Sequence, residues 1–260
     1  MTVVVAIRFE LSFPLTSLTF IVGAFTYLAL LERIIPYNRA WQPEAWEWRR
    51  DGLCYLITMM SGGAGRVAVV SIGTAVTPLH TDLPLGVEIP AAIIVVSFCA
   101  FVIHRLGHHV PWLWRVHGIH HVPDKVTVSN NNVNQFLDVF GACLMTQIPL
   151  LVLGFSRQAV FAAGVFKAAQ GYGVHANIDV ELGWLNYILV TPEQHRLHHS
   201  KDLREAGHYA ADLTLWDLLF RSFTWSPNRA PVSVGIEDAA AFPPARSILA
   251  SQVHPFRRSS

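Results

Sequence analysis

Residues 104–121 read HRLGHHVPWLWRVHGIHH, and this stretch holds six of the thirteen histidines: His104, His108, His109, His117, His120 and His121. No carboxylate lies within it. A second cluster, QHRLHHS, brings His195, His198 and His199, and His175 stands alone between the two. Imidazoles are weakly charged near neutral pH, and each keeps a nitrogen lone pair for a metal. His104 and His108 are spaced i, i+4 and share one helix face. His117, His120 and His121 are spaced i, i+3, i+4, and His195, His198 and His199 repeat that pattern. Each HxxHH triplet is therefore expected to aim three rings at one locus. With His175 the boxes supply nine nitrogen donors. One metal takes about four to six ligands, so the set fits two metals with positions left open.

The composition says where such a site sits. Of 260 residues, 52% are hydrophobic and 14% charged, against a usual charged share of roughly 25%. The mean hydropathy is +0.36. So few charges cannot coat a soluble globule of this size, and the chain reads as an integral membrane protein. A net charge of +1 and the lack of a basic tract before Arg257-Arg258 exclude nucleic acid as a partner. Cys54, Cys99 and Cys143 each lie in an apolar run with no CxxC pair, and read as buried small hydrophobes.

Residues 14–35 are long and apolar enough to cross a bilayer, which takes about 20 residues. They lack a small-residue cleavage site and read as a retained span rather than a signal peptide. The following YNRAWQPEAWEWRRD sets Arg39, Arg49 and Arg50 beside Trp41, Trp46 and Trp48. Arginines among tryptophans suit a cytoplasmic interface, which puts the N-terminus outside. Residues 52–78 form a weaker second segment, interrupted by Gly62-Gly63 and Gly65-Arg66, and read as one kinked helix or a re-entrant pair. Residues 85–103 are a third span whose inner end runs into His104. Residues 136–155 and 158–174 read as a hairpin turning at Gly154-Phe155-Ser156-Arg157, which returns His175 to the side of the clusters. The expected fold is all-α: an integral membrane helical bundle of about four to five membrane segments. A cytosolic helical cap carries the histidine-rich dimetal site on the cytoplasmic face. Residues 1–84 are expected to hold the N-terminal membrane segments, 85–225 the catalytic region, and 226–260, rich in Pro, Ala and Ser, a surface-hugging cytosolic tail.

Imidazole ligation suits iron, zinc or copper. A site at the membrane face meets a lipid-like substrate, whose chains offer C–H bonds. Activating a C–H bond needs O2 and a redox metal, which favours two iron ions, although zinc remains possible.

HRLGH, WLWRVHGIHH, PEQHRLHHS and LTLWDLLFRSF together resemble the fatty acid hydroxylase / sterol desaturase superfamily, a group of integral-membrane di-iron enzymes. The likeness runs over about residues 85–225. It implies O2-dependent hydroxylation or desaturation of a lipid or isoprenoid, such as a sterol or carotenoid. Electrons would come from a separate ferredoxin, cytochrome b5 or reductase. By position, His104 and His108 match the first box, His117, His120 and His121 the second, and His195, His198 and His199 the third. His175 matches the additional ligand between the second and third boxes. The chain departs from the pattern twice. Many relatives carry an Arg-x-His segment after the second box, where this chain has VSNNNVNQFLD. Many carry Asn-Tyr-Gly after the third, where this chain has His208-Tyr209-Ala210.

The remaining polar residues divide less sharply. His109 falls one residue past the i+4 position and points off the face, so it is left out of the site. His208 is left open, and His80 and His254 are read as bystanders. Asp138 and Asp212 could accept the second ring N–H of a ligand, but an interfacial or capping role is favoured. Asn130 to Asn132 could meet a polar headgroup, with a capped loop as the favoured reading. Trp112, Trp114, Trp184 and Trp216 read as interface anchors or packing. Two other classes are weighed. A zinc membrane hydrolase would need an HExxH motif, which the sequence lacks. A non-enzymatic membrane metal or electron carrier would need ligands along a path, or axial pairs for haem, rather than HxxHH triplets at one face.

Overall fold

The computed structural model describes residues 2–79 and 81–257, and its regular elements there are all helices. A short α1 (Thr2–Arg8) precedes α2 (Phe13–Ile34), α3 (Ala45–Gly73) and α4 (Leu85–His109). The last three are each long and apolar enough to cross a membrane. Their outward faces carry exposed Leu18, Val22, Leu30, Val67, Val70 and Ile94, a pattern that suits lipid rather than water. At the end of α4 the chain turns a corner. Val110 has extended backbone (φ −95, ψ 118) because the ring of Pro111 crowds the helical conformation of the residue before it. The proline then opens α5 (Pro111–His121), and so the first two histidine boxes lie on two differently directed helices.

α6 (Phe136–Val152) and α7 (Arg157–His175) form the expected hairpin. The Glu88 carboxylate on α4 accepts hydrogen bonds from the backbone N–H and the hydroxyl of Ser156, both at 2.6 Å, and ties the start of α7 to α4. Ala92 and Val96 of α4 pack with Leu150 of α6 and Ala159 and Ala163 of α7 to form the membrane core. Three short helices, α8 (Pro192–His198), α9 (Leu215–Leu219) and α10 (Ile248–Val253), build the cap.

Two sequence expectations change here. The second membrane segment is one continuous helix that begins at Ala45, not at residue 52. Its glycines do not break it, and Gly65 is contact surface. A Cβ on Gly65 would stand 2.8 Å from Cys143 Cβ on α6, whereas one on Gly63 would meet nothing within 4 Å. Small residues let membrane helices approach closely. Gly65→Leu is therefore expected to lower stability by about 1–3 kcal/mol through overpacking, and Gly63→Leu to have little effect. Thermal unfolding of the two solubilised variants checks this.

The second change concerns Arg50, whose side chain is turned into the protein. It is buried on α3, pairs with Asp51 at 2.8 Å and lies over the Trp46 ring. Asp51 in turn accepts from Ser129, Glu47 pairs with Lys125, and Glu32 accepts from the backbone N–H groups of Val128 (2.7 Å) and Asn177 (2.8 Å). Three buried carboxylates on α2 and α3 thus hold the loop that follows the second box and the residues just past His175.

Candidate metal centre

The fold gathers the nine histidines into two adjacent groups. One ring nitrogen each of His104, His108, His117, His121 and His198 lies within 4.8 Å of the others, and the same holds for His120, His175, His195 and His199. The HxxHH triplets do not each serve one locus. On a helix, residues i and i+4 lie about 40° apart, while i+3 falls roughly 60° to the other side. Accordingly His117 and His121 enter the first group and His120 the second. In the third box His195 and His199 enter the second group and His198 the first. The two triplets cross over, and the His121 and His199 rings stack at 4.3 Å where the groups meet.

Proton positions follow from the partners of the other ring nitrogen. Nδ1 of His104 donates to the Tyr209 carbonyl (2.6 Å), that of His198 to the Gly207 carbonyl (2.8 Å), and that of His120 to the Val133 carbonyl (3.3 Å). His117 Nδ1 meets the Asp138 carboxylate at 2.9 Å, and His175 Nδ1 meets Asn130 Oδ1 at 3.2 Å. These tautomers leave lone pairs on Nε2. The lone pairs of His120 and His175 then face one another with Nε2 atoms 3.0 Å apart, while Nε2 of His195 and His199 stand 3.2 Å apart and those of His117 and His121 3.3 Å. Nε2 of His108 and of His198 are buried with no hydrogen-bond partner. Acceptor facing acceptor in a dry interior is costly, and a cation between them removes the conflict. Nitrogens bound to one metal at about 2.0–2.1 Å stand roughly 3 Å apart, so the donors fit one metal ion per group. Burial, reinforced by neighbouring imidazoles, pushes His121, His195 and His199 well below the usual histidine range and His120 to about 4. The rings are therefore neutral and able to ligate.

Asp138 accordingly departs from the interfacial role favoured by the sequence: it orients His117. Asn130 neither meets a headgroup nor merely caps a loop. Its amide donates to the Lys125 carbonyl, its Oδ1 accepts from Thr127 N–H, and the same oxygen faces His175. Asn130, Tyr209 and Gly207 escaped the sequence reading because two of them act through backbone carbonyls, which carry no residue signature. His109 stands apart from both groups, exposed, with Nδ1 on its own helix's Arg105 carbonyl. Asp212 bonds Ser97 and its neighbour Leu213, not a histidine. Trp216 packs on Phe98 and donates to Ser97, while Trp112 and Trp184 are exposed. Trp114 stands against the rings of His108 and His121. His80 lies outside the described residues.

His208 also belongs to neither group. It is fully buried, accepts from Thr224 N–H at 3.0 Å, and has φ +60. Asn and His are among the few side-chain residues that adopt this left-handed backbone readily. His208 therefore meets a backbone requirement at this position. Burial, with Arg229 nearby, pushes the ring from 6.5 down to about 3. The unfolded chain takes up this proton near 6.5 and the folded chain only near 3. Stability from His208 is thus complete above the higher value and is lost as pH falls between them. His208→Asn is expected to lose less stability than the parent over that window, as read by thermal unfolding across a pH series.

A cavity of about 630 Å³ opens against the first group, lined there by His108, His121 and His198. The C-terminal tail is part of its wall, since Phe242 and His254 line it too. Residues 226–257 therefore do more than hug the surface, and His254 is not a bystander.

Comparison with known proteins agrees with this architecture. Residues 89–222 match the fatty acid hydroxylase family model. An ornithine lipid hydroxylase of Rhizobium tropici is 30% identical over 244 residues, covering 89% of this chain and 72% of that one. Human alkylglycerol monooxygenase is 28% identical over 135 residues, 51% of this chain but 30% of its own length. A fatty acid hydroxylase of a Lecanicillium species is 24% identical over 156 residues, 54% of this chain and 43% of that one. No solved structure matches. On the family match and the near full-length likeness to a lipid hydroxylase, the chain belongs to the fatty acid hydroxylase family.

Proposed function

We propose that this protein is a membrane-bound di-iron hydroxylase that uses O2 to oxidise a C–H bond of a membrane lipid. The observation that carries the reading is the pair of histidine groups whose ring nitrogens converge. Relatives that hydroxylate ornithine lipid, alkylglycerol or fatty acid support a lipid substrate. In this reading His104, His108, His117, His121 and His198 hold one iron and His120, His175, His195 and His199 the other. The balance is one lipid C–H, one O2, two electrons and two protons giving one C–OH and one water. Two irons supply the activation of O2 that an unactivated C–H bond requires.

The chain's own residues supply the order. The carbonyls of Tyr209, Gly207 and Val133, the Asp138 carboxylate and Asn130 fix each ring's tautomer and raise its basicity. Trp114 and Phe242 place aromatic surface on the cavity side of the site. Neither donor group contains a carboxylate, so these neutral histidines would add no negative charge to the ions they hold. The start of α3, which carries Trp46 and Trp48, lies with the cap on the cytoplasmic side in this reading, where a separate ferredoxin, cytochrome b5 or reductase delivers the electrons.

The test is metal analysis with turnover. The purified full chain is expected to hold two irons and to show reductant-dependent O2 uptake with a membrane lipid extract, with one lipid class gaining one oxygen by mass. Bound metal without such uptake on any lipid class overturns the reading, and a loss of two hydrogens in place of the added oxygen marks a desaturase.

A further inference from the structure

The cavity beside the first donor group has a roof outside the matched family stretch, which ends at residue 222. The backbone N–H of Gly235 donates to the His199 carbonyl at 2.9 Å, and Lys201 N–H donates to Ser233, so the tail is pinned to the third box. Further on, Phe242 is seated on the second box. A Cβ on Gly118 would lie 2.6 Å from the Phe242 ring, so only glycine leaves room for it. At the far end the Arg115 guanidinium donates to the carbonyls of His254 and Arg257. Residues 233–257 thus form a strap from α8 to α5, and both ends of it are tied to histidine boxes.

The strap gives the cavity an unusual chemistry for a lipid enzyme. Arg115, His254 and Arg257 all line it. Among the described residues neither arginine forms an ion pair with a carboxylate. Arg115 also keeps an Nε–H that no protein acceptor meets. The acidic lining residues do not satisfy it. The Asp238 carboxylate is engaged by the N–H groups of Ala240 and Ala241, and Glu237 stands exposed. The volume of about 630 Å³ holds roughly twenty non-hydrogen atoms at about 30 Å³ each. That is far less than a two-chain lipid, so the space takes one end of such a molecule.

Resting on the reading of this protein as a lipid hydroxylase, we propose that the strap-roofed cavity is an anion-recognising pocket. It receives the phosphate or carboxylate oxygens of the substrate's polar end at Arg115 and Arg257. Guanidinium forks suit both oxyanions. Glu237 repels the same anion and favours a substrate that carries a cationic group further out.

The test is calorimetric titration of the iron-loaded full chain in nanodiscs, without reductant and with empty nanodiscs subtracted. The probes are hexyl phosphate, hexanoate and hexanol. The parent is expected to bind one or both anions at least about tenfold more tightly than the alcohol. Preference for the phosphate assigns a phosphate headgroup, and preference for hexanoate a free carboxylate. Arg115→Gln and Arg257→Gln are each expected to cut that advantage roughly tenfold. Arg115→Gln also loosens the strap, so Arg257→Gln and Glu237→Gln, both exposed at the mouth, carry the test, with Glu237→Gln expected to tighten anion binding. Equal affinity for anion and alcohol overturns the proposal. So does anion preference that survives both arginine variants, which puts the anion on the metals. Lipid hydroxylation by a chain blind to these anions overturns the pocket alone, whereas anion-selective binding without turnover overturns the hydroxylase reading and leaves the pocket standing.

Discussion

Replacing His199 with alanine is expected to lower the bound iron from two ions to one per chain and to reduce hydroxylation more than 100-fold. The second group has four donors, and His199 is the one that both faces His195 Nε2 and stacks on His121 of the first group. Its loss leaves three nitrogens around an ion that needs about four to six ligands. A graded comparison comes from Asp138→Asn. That change keeps the size of the group that orients His117 but removes its charge, and partners of this kind are worth about 10–100-fold in metal affinity or activity. The iron weakened by Asp138→Asn is the one in the first group, that weakened by His199→Ala the one in the second. Elemental analysis with product mass spectrometry reads both. A His199→Ala protein with two irons and parental turnover removes His199 from the ligand set.

Asp217→Ala is expected to destabilise the cap by about 3–5 kcal/mol, because two backbone N–H groups and a hydroxyl lose their acceptor in a buried site. The Asp217 carboxylate is fully buried and accepts from Tyr209 N–H (2.8 Å), Ala210 N–H (3.0 Å) and the Ser222 hydroxyl (2.6 Å). This clamp shapes the loop from which Gly207 and Tyr209 present their carbonyls to His198 and His104. The LWD motif read in the sequence therefore acts through its aspartate, one bond away from the metal donors. Asp217→Asn keeps one acceptor oxygen and is expected to cost less. Thermal unfolding of both variants gives the order, and an alanine variant as stable as the parent removes the clamp from the account.

The nine histidines that the fold gathers were legible because helical spacing and ring chemistry are local. What spacing did not convey was the division between the groups, which follows from how α5 and α8 face each other across the centre. Arg50 and Gly65 were misread for a related reason. An arginine beside tryptophans and a glycine in an apolar run look the same in sequence whether they face lipid or a neighbour, and only the packing of α3 on α6 and on the 125–129 loop decides. The strap was hidden by its composition. A segment rich in Pro, Ala and Ser reads as a loose tail, yet its positions are set by a few backbone hydrogen bonds and by the fit of one phenylalanine over one glycine.

The unbroken run of α4 has a mechanical meaning. Its 25 residues span roughly 37 Å at about 1.5 Å per residue, enough to cross the about 30 Å of hydrocarbon in a typical bilayer and carry its last turns clear of it. A helix longer than the local hydrocarbon answers a thinner bilayer by tilting. His104 and His108 ride on the end of that rod, whereas the other three donors of the first group are held by α5 and α8. The first group thus joins donors on a membrane helix to donors on two helices outside it, so a tilt of α4 in its bilayer would change the distances between them.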